Sequence, residues 1–385
     1  MKVLTVIGNR PQFIKAAAVS PLLREQAQEV LVHTGQHFDD ALSRIFFEQL
    51  GIPTPEVQLQ ISGGSNSSQS ARMLAALEPV IAAERPDWVL VYGDTNSTLA
   101  GALAAVGQGI PVAHVEAGMR SYDRAMPEEI NRVVTDHLST LLLCPSAAAA
   151  ANLAAEGIGA ASRGRPSAAA PGKQPLLNTP TTPDAPATLS VTVVGDVMVD
   201  IAQAVQPRAR AHGELLERYG LVAGEYLLAT AHRAGNVDDP ARLERLVELL
   251  LGAGRPVILP LHPRTRARLE SAGLLERLSG RGLVQVVEPL GYVELTALLV
   301  NAAAVLTDSG GLQKEAYLAG IRCVTMRPST EWVETVASGW NSLVDLDLDR
   351  ALAALAAPPP STRPELYGDG RAGRRVVEAL LDARA

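Results

Sequence analysis

Short aliphatic runs ending in Gly, Asp or Glu recur along this chain, with helix-like stretches between them. VLTVIGN, VLVHTGQ, WVLVYGD, PVAHVEAG and LLLCPS mark the first half, and YLLATAHR, PVILPLHP, LVQVVEP, AVLTDSGG and RCVTMRP the second. The intervening segments resemble LERLVELLLGAG, whose Leu and Val residues recur at three- and four-residue spacing. Continuous apolar strands alternating with amphipathic helices are the pattern of parallel sheets covered on both faces. Two such sets predict an α/β chain of two doubly wound, Rossmann-like domains with a cleft between them, ligands lying beyond the strand ends.

Composition marks the boundary between the sets. Residues 158–189 are rich in Ala, Pro, Ser and Thr, and their proline spacing prevents a long helix. The reading is a first domain over 1–157, a linker or loop over 158–189 and a second domain over 190–365, with a closing helix 366–385 returning to the first. With 47% hydrophobic and 19% charged residues the chain can bury a sizeable core, which excludes wholesale disorder. Lys plus Arg is 34 and Asp plus Glu is 41, and a net charge of −7 argues against duplex nucleic acid as the main partner. Aromatic residues at 4% argue against a stacking platform for single strands. Cys144 and Cys323 stand far apart and suggest neither a disulfide framework nor a zinc site. MKVLTVIG enters a strand pattern directly, without the order of a signal peptide, and no apolar run reaches the length of a membrane span. The expectation is a soluble, cytoplasmic enzyme.

Five clusters follow apolar runs, where ligands of open α/β sheets bind. In Gly8-Asn9-Arg10-Pro11-Gln12-Phe13-Ile14-Lys15, Gly8 permits a turn, and Arg10 and Lys15 can meet an anion at a helix N-terminus. Neither GxGxxG nor a P-loop is present, and a capped helix with solvated cations is the plainer alternative. Asp94 follows WVLVY, as a candidate site carboxylate or only a helix cap. Glu116 ends PVAHV, and Glu128 and Glu129 follow Pro127; these are acid–base candidates or, for the latter two, a dipole-favoured first turn. His232, with Arg233 and Asn236, has no HxH, HxxxH or nearby Cys, so an anion contact is preferred to a metal, and a structural His is the alternative. Ser309-Gly310-Gly311 opens a helix able to hold a diphosphate, and Glu315, one turn further, can hold ribose hydroxyls.

Together GNRPQFIK, HTGQHFD, VYGDTNSTLAG, HVEAGMRSYDRAMPEEINR, VGDVMVD, ATAHRAGN, TDSGGLQKEA and LYGDGRA resemble the non-hydrolysing UDP-N-acetylglucosamine 2-epimerases, over nearly the whole chain except the linker. The resemblance implies a glycosyltransferase-B-like fold, no cofactor, no metal, and a homodimer that binds a UDP-sugar. It implies inversion at C2 by elimination of UDP and its re-addition through a 2-acetamidoglucal. The C2 proton is not acidic by itself; loosening the C1–O bond builds oxocarbenium character that acidifies it. On this resemblance Asp94, Glu116 and Glu128 supply acid and base around C2, their roles unassigned, with His232 in the catalytic set. Arg10, Lys15 and His232 meet the diphosphate or leaving group, with Ser309, Gly310 and Gly311 as the phosphate site. Glu315 holds the ribose, backbone over Pro289–Tyr292 holds uracil, and Arg132 and Asn236 join the binding set. Gln36, His37 and Arg72 match a region where a second UDP-sugar acts allosterically in many members.

The pattern departs from the family in two places. The common GTRPE is Gly8-Asn9-Arg10-Pro11-Gln12 here, and HRxEN is His232-Arg233-Ala234-Gly235-Asn236, without the carboxylate at 235. The GNRPQ form also resembles a branch acting on more decorated UDP-sugars such as diacetamido uronic acids. A hydrolysing 2-epimerase, a 2-epimerase of such a sugar, a glycosyltransferase of the same fold and a silent UDP-sugar-binding protein are the alternatives. Supply of sugars for envelope glycan or secondary metabolites is the expected setting.

Overall fold

The computed structural model describes residues 1–36, 47, 49–159, 189–280 and 282–383. The chain divides into two units, Met1–Asp200 with Tyr367–Ala385, and Ile201–Leu366.

In the first unit, β1 (Lys2–Ile7), β2 (Gln28–His33), β3 (Val57–Gln58), β4 (Trp88–Tyr92), β5 (Val112–Val115), β6 (Leu141–Cys144) and β7 (Ser190–Val193) form one sheet. Their order is β3-β2-β1-β4-β5-β6-β7 and every pairing is parallel. Helices cover both faces of such a sheet, which is why β1, β4 and β5 are apolar almost without alternation and buried. Leu4, Val6, Val30, Val32, Val89 and Val91 pack on Met73, Leu77 and Ile81 of the helix Asn66–Glu84. The helix Asn96–Gly107 approaches closely because Gly101 faces Val6 and Val91, where an added Cβ would sit 3.1 Å from Val91. After β3 the chain crosses to β4 on the other side of β1. The loops leaving β1 and β4 therefore diverge and open a crevice at the carboxyl edge.

The helix Ala372–Asp382 belongs to this unit and packs against the helix Arg10–Arg24. Gly373 makes the approach possible, since a Cβ there would lie 2.2 Å from the Ala18 carbonyl oxygen. Asp200 accepts from the backbone N–H groups of Ala372 (3.1 Å) and Gly373 (2.9 Å), which stabilises the helix start. Burial lifts the Asp200 carboxyl above its ordinary value, although those two donors pull the other way.

The second unit repeats the plan. β8 (Leu227–Thr230), β9 (Val257–Pro260), β10 (Val284–Val287), β11 (Ala304–Thr307), β12 (Arg322–Thr325) and β13 (Asn341–Leu343) form a parallel sheet in the order β10-β9-β8-β11-β12-β13. Successive residues serve opposite faces, as the strand period of two requires. Leu227, Ala229, Leu259 and Leu306 pack with Leu246, Val247 and Leu250 of the helix Pro240–Gly252. Leu228, Ile258, Val305 and Cys323 pack on the other side with Leu298, Leu299 and Ala316. The order reverses between β8 and β11, so the loops after Thr230 and Thr307 flank the second crevice.

Two boundaries differ from the sequence reading. Residues 190–193, assigned there to the second domain, are β7 and pair with β6, so the first unit runs on to Asp200. Ile158, placed in the linker, is buried and its N–H closes the helix Ala147–Ala155 on Leu153. Residues 160–188 lie outside the described residues. Both cysteines are buried, and burial pushes each thiol up to about 12, which keeps them unreactive. Among the described residues no helix is long and apolar enough to cross a membrane.

Candidate active site

The loop leaving β1 is fixed by one amide. Gln12 accepts from Gly8 N–H (2.8 Å) through Oε1 and donates through Nε2 to the Tyr92 carbonyl (3.0 Å) and Thr98 Oγ1 (3.0 Å). Gln12 thereby ties the exit of β1 to the end of β4. Asn9 caps the helix Arg10–Arg24 by accepting from Gln12 N–H (3.3 Å). Gly8 admits no side chain, because a Cβ would lie 2.1 Å from both Ser97 Oγ and Thr34 Oγ1. Arg10 begins the helix at the crevice and is half-buried, whereas Lys15 is buried and ion-paired with Glu116. Lys15 is therefore not a solvated cation.

Glu116 leaves β5 in a left-handed backbone conformation, φ +73°, which side chains other than Gly and Asn rarely adopt. Its N–H donates to the Leu143 carbonyl (3.0 Å), and Gly118 N–H two residues on donates to Asp136 Oδ2 (3.1 Å). Strain of this kind persists only where surrounding contacts over-determine it, and it clusters at working sites. Gly93 lies against the same pair, for a Cβ there would sit 2.8 Å from Lys15 Nζ and 3.5 Å from Glu116 Oε2.

Asp94 is not the cap of its helix; Thr95 is. Its carboxylate is held by Arg132, whose Nε donates at 3.1 Å and whose Nη2 closes the pair, and Asn131 Nδ2 donates to the Asp94 carbonyl (3.0 Å). Arg132 is in turn aimed by Glu129 (2.8 Å), a buried carboxylate that also accepts from Ser121 and Tyr122 N–H groups. Glu129 is thus a positioning group. Glu128, its half-buried neighbour, occupies the first turn of the same helix Pro127–Leu138. Asp94, Glu116, Lys15 and Arg132 are brought together at the carboxyl edge of the first sheet, with Glu128 one helical turn from Arg132.

In the second unit the organiser is Asp308, fully buried at the end of β11. It accepts from His232 N–H (3.1 Å to each oxygen), Arg233 N–H (3.0 Å) and Asn236 Nδ2 (3.2 Å). The His232 ring stands half-exposed with Nδ1 3.6 Å from the carboxylate and its centroid 5.6 Å from that of His262. Asn236 also donates to the Met326 carbonyl (2.9 Å) and accepts from Arg242 Nη2 (2.9 Å). Ser309 caps the helix Gly310–Ala319, and Gly311 is exposed at its start. Gly310 faces Glu331, whose Oε1 would lie 2.1 Å from an added Cβ, and Arg327 pairs with that carboxylate (3.0 Å). Glu315 is buried one turn on, after Lys314, whose ammonium sits 4.2 Å above the Trp332 ring. Tyr292 opens the helix Tyr292–Val300 with its side chain buried, so its backbone is the part at the loop.

Of the residues proposed for a second nucleotide, Gln36 and Arg72 are among the described residues. Gln36 Oε1 accepts from Ser97 N–H (3.1 Å) and Oγ (2.7 Å), and exposed Arg72 donates to the Ser62 carbonyl (3.0 Å) and to Gly63. His37 lies outside the described residues. Asp308, His114 and Asp136 were given no role from the sequence, and Glu129, named there beside Glu128, is the one that holds Arg132. Only Asp308 carried a local signal, being next to Ser309-Gly310-Gly311 after an apolar run.

Paired carboxylates at one switch point, and a capped helix start with an adjacent imidazole at the other, are the equipment of an α/β enzyme acting on a nucleotide sugar. Comparison with known proteins names the family. The family model described as UDP-N-acetylglucosamine 2-epimerase matches residues 22–381. A UDP-2,3-diacetamido-2,3-dideoxy-D-glucuronate 2-epimerase of Pseudomonas aeruginosa is 47% identical over 99% of each chain. A UDP-N-acetylglucosamine 2-epimerase homolog of Methanococcus maripaludis is 42% identical, again over 99% of each. The crystal structure of Methanocaldococcus jannaschii UDP-GlcNAc 2-epimerase in complex with UDP-GlcNAc and UDP superposes with a TM-score of 0.87 at 36% identity, covering 99% of this chain and 100% of that one. The protein belongs to the UDP-N-acetylglucosamine 2-epimerase family and shares its glycosyltransferase-B-like fold.

Proposed function

We propose that the protein interconverts UDP-N-acetylglucosamine and UDP-N-acetylmannosamine by eliminating UDP and adding it back to a 2-acetamidoglucal held in place. The observation that carries this reading is Glu116: a carboxylate fixed in strained backbone beside Lys15, with Asp94 in the adjoining loop. A base at C2 needs a fixed position and a neighbouring cation that keeps it ionised. The acid for the opposite face comes from the remaining pair, Asp94 or Glu128. Asp94 is paired with Arg132, which favours its ionised form. In the second unit His232 and the start of the helix Gly310–Ala319 take the diphosphate, and Glu315 the ribose.

A second reading has its own support. Gln12 and Gly235 depart from the common family pattern, Gly235 is exposed with open space where a carboxylate is common, and the Pseudomonas aeruginosa relative acts on a diacetamido glucuronate. A site lacking that carboxylate accepts an acidic sugar with less repulsion.

The test is proton NMR in deuterated water with either UDP-sugar. Deuterium entering C2 of both epimers supports epimerisation, and the faster substrate identifies the reading. Free 2-acetamido sugar would mean hydrolysis, and no exchange with either sugar would overturn both readings. Glu116→Gln should abolish exchange and leave UDP affinity within about tenfold.

A further inference from the structure

One buried side chain lies behind the candidate carboxylates. His114, in β5, is fully buried, with Nδ1 2.7 Å from Asp136 Oδ1 and Nε2 2.7 Å from the Gly93 carbonyl oxygen. A carboxylate and a carbonyl only accept, so each ring nitrogen has to donate, and a neutral imidazole has one N–H. Either neutral tautomer would set a ring lone pair against an oxygen lone pair at hydrogen-bond distance in a site closed to solvent.

The surrounding charges agree with a cation. Asp136 Oδ2 accepts from Arg120 Nη1 (2.7 Å) and Gly118 N–H (3.1 Å), and Glu156 grips Arg120 through both oxygens (2.7 and 2.8 Å). Two carboxylates balance two cations only when His114 is charged. Burial by itself would raise the Asp136 carboxyl, but His114 and Arg120 outweigh it and hold it below its ordinary value. Cys144 of β6 faces the same carboxylate, and burial first and Asp136 second push its thiol up to about 12, so it stays neutral. On the β4 side the charged groups are Lys15 and Glu116, both against Gly93.

We propose that His114 is a positioning residue that donates from both ring nitrogens, clamping the exit of β4 to the helix Pro127–Leu138 and so holding Asp94, Glu116 and Glu128 in register. Gly93 precedes Asp94; Asp136 shares its helix with Glu128 and Arg132; and Asp136 also fixes Gly118, in the turn where Glu116 takes its left-handed backbone. The proposal rests on the reading that these carboxylates work at C2.

Nitrogen-15 NMR of the full chain with labelled histidine tests the charge. Assignment uses His114→Gln or, if that variant does not fold, elimination of the other histidines. Both ring nitrogens of His114 should carry a proton in the folded protein at neutral pH, each in its hydrogen bond. A single protonated nitrogen there overturns the proposal. His114→Gln should lower kcat for C2 exchange about thirtyfold or more while KM and UDP affinity stay within about threefold. Folded His114→Gln with wild-type kcat, or with the loss confined to KM, also overturns it. If the wild type exchanges C2 of no UDP-sugar, the functional reading fails and the ring spectrum still decides the charge of His114.

Discussion

Replacing Asp308 by Asn keeps shape and removes charge at the hub of the second crevice. The carboxylate accepts from His232 N–H, Arg233 N–H and Asn236 Nδ2, with the last two converging on Oδ2. An amide has one accepting oxygen. With that oxygen placed at Oδ2, its NH2 faces His232 N–H, donor against donor. The Oδ1 arm of the His232 hydrogen bond gives way to that repulsion, and the bonds left on Oδ2 lose their ionic part, each charged bond being worth about 1.5–3 kcal/mol, for roughly 2–4 kcal/mol in all. For a unit of this size that is a fall in Tm of about 5–15 °C, read by calorimetry of the intact protein. UDP affinity, by isothermal titration, should fall about tenfold, because the backbone of His232 and Arg233 loses its anchor next to Ser309. A variant within about 2 °C of wild type with unchanged UDP affinity would refute the assignment of Asp308 as the organiser.

Gln12→Glu should be stability-neutral to mildly destabilising in acid and costly in base. The amide Nε2 donates to the Tyr92 carbonyl, which only a protonated carboxyl can imitate. A folded-state pKa raised above the unfolded value near 4.3 means the native state binds more protons, so stability falls with rising pH and levels off above the folded pKa. Urea titrations at about pH 5 and about pH 8 should therefore separate the variant from wild type more widely at the higher pH, and an equal gap at both would contradict the role given to the amide. Asp136 acts in the opposite direction. Its carboxyl is held below the ordinary 3.8, so the stability it contributes is complete above that value and lost as the pH falls through the lowered one. Asp136→Asn should unfold more easily than wild type at neutral pH, and the gap should close in acid; a gap independent of pH would contradict the ionic role.

The central strands were legible because a parallel strand buried on both faces is written as an unbroken apolar run, as in Val3–Ile7 and Trp88–Tyr92. Three of the four edge strands were not. β3 and β13 are two and three residues long, too short for any period to register, and β7 follows a stretch rich in Pro and Ala that masks it. The same asymmetry holds at the site. Glu116, Asp94 and His232 follow strands directly, so position alone marks them. Asp136, His114 and Asp308 act through partners farther away in sequence, and no local pattern shows that two ring nitrogens will meet two acceptors. The plainer alternative for Asp94, a helix cap, failed because Thr95 takes that role, and the one for Lys15 failed because Glu116 pairs with it.

The left-handed backbone of Glu116 has a meaning for the history of such chains. Folding alone favours Gly or Asn at a φ of +73°, and the role at C2 proposed for Glu116 gives a reason for a longer carboxylate there. On that proposal, a copy of this chain released from turnover would gain stability by exchanging the residue. The residue after the fifth strand would then serve as a marker by which a descendant that has kept its reaction can be told from one that has kept only its fold.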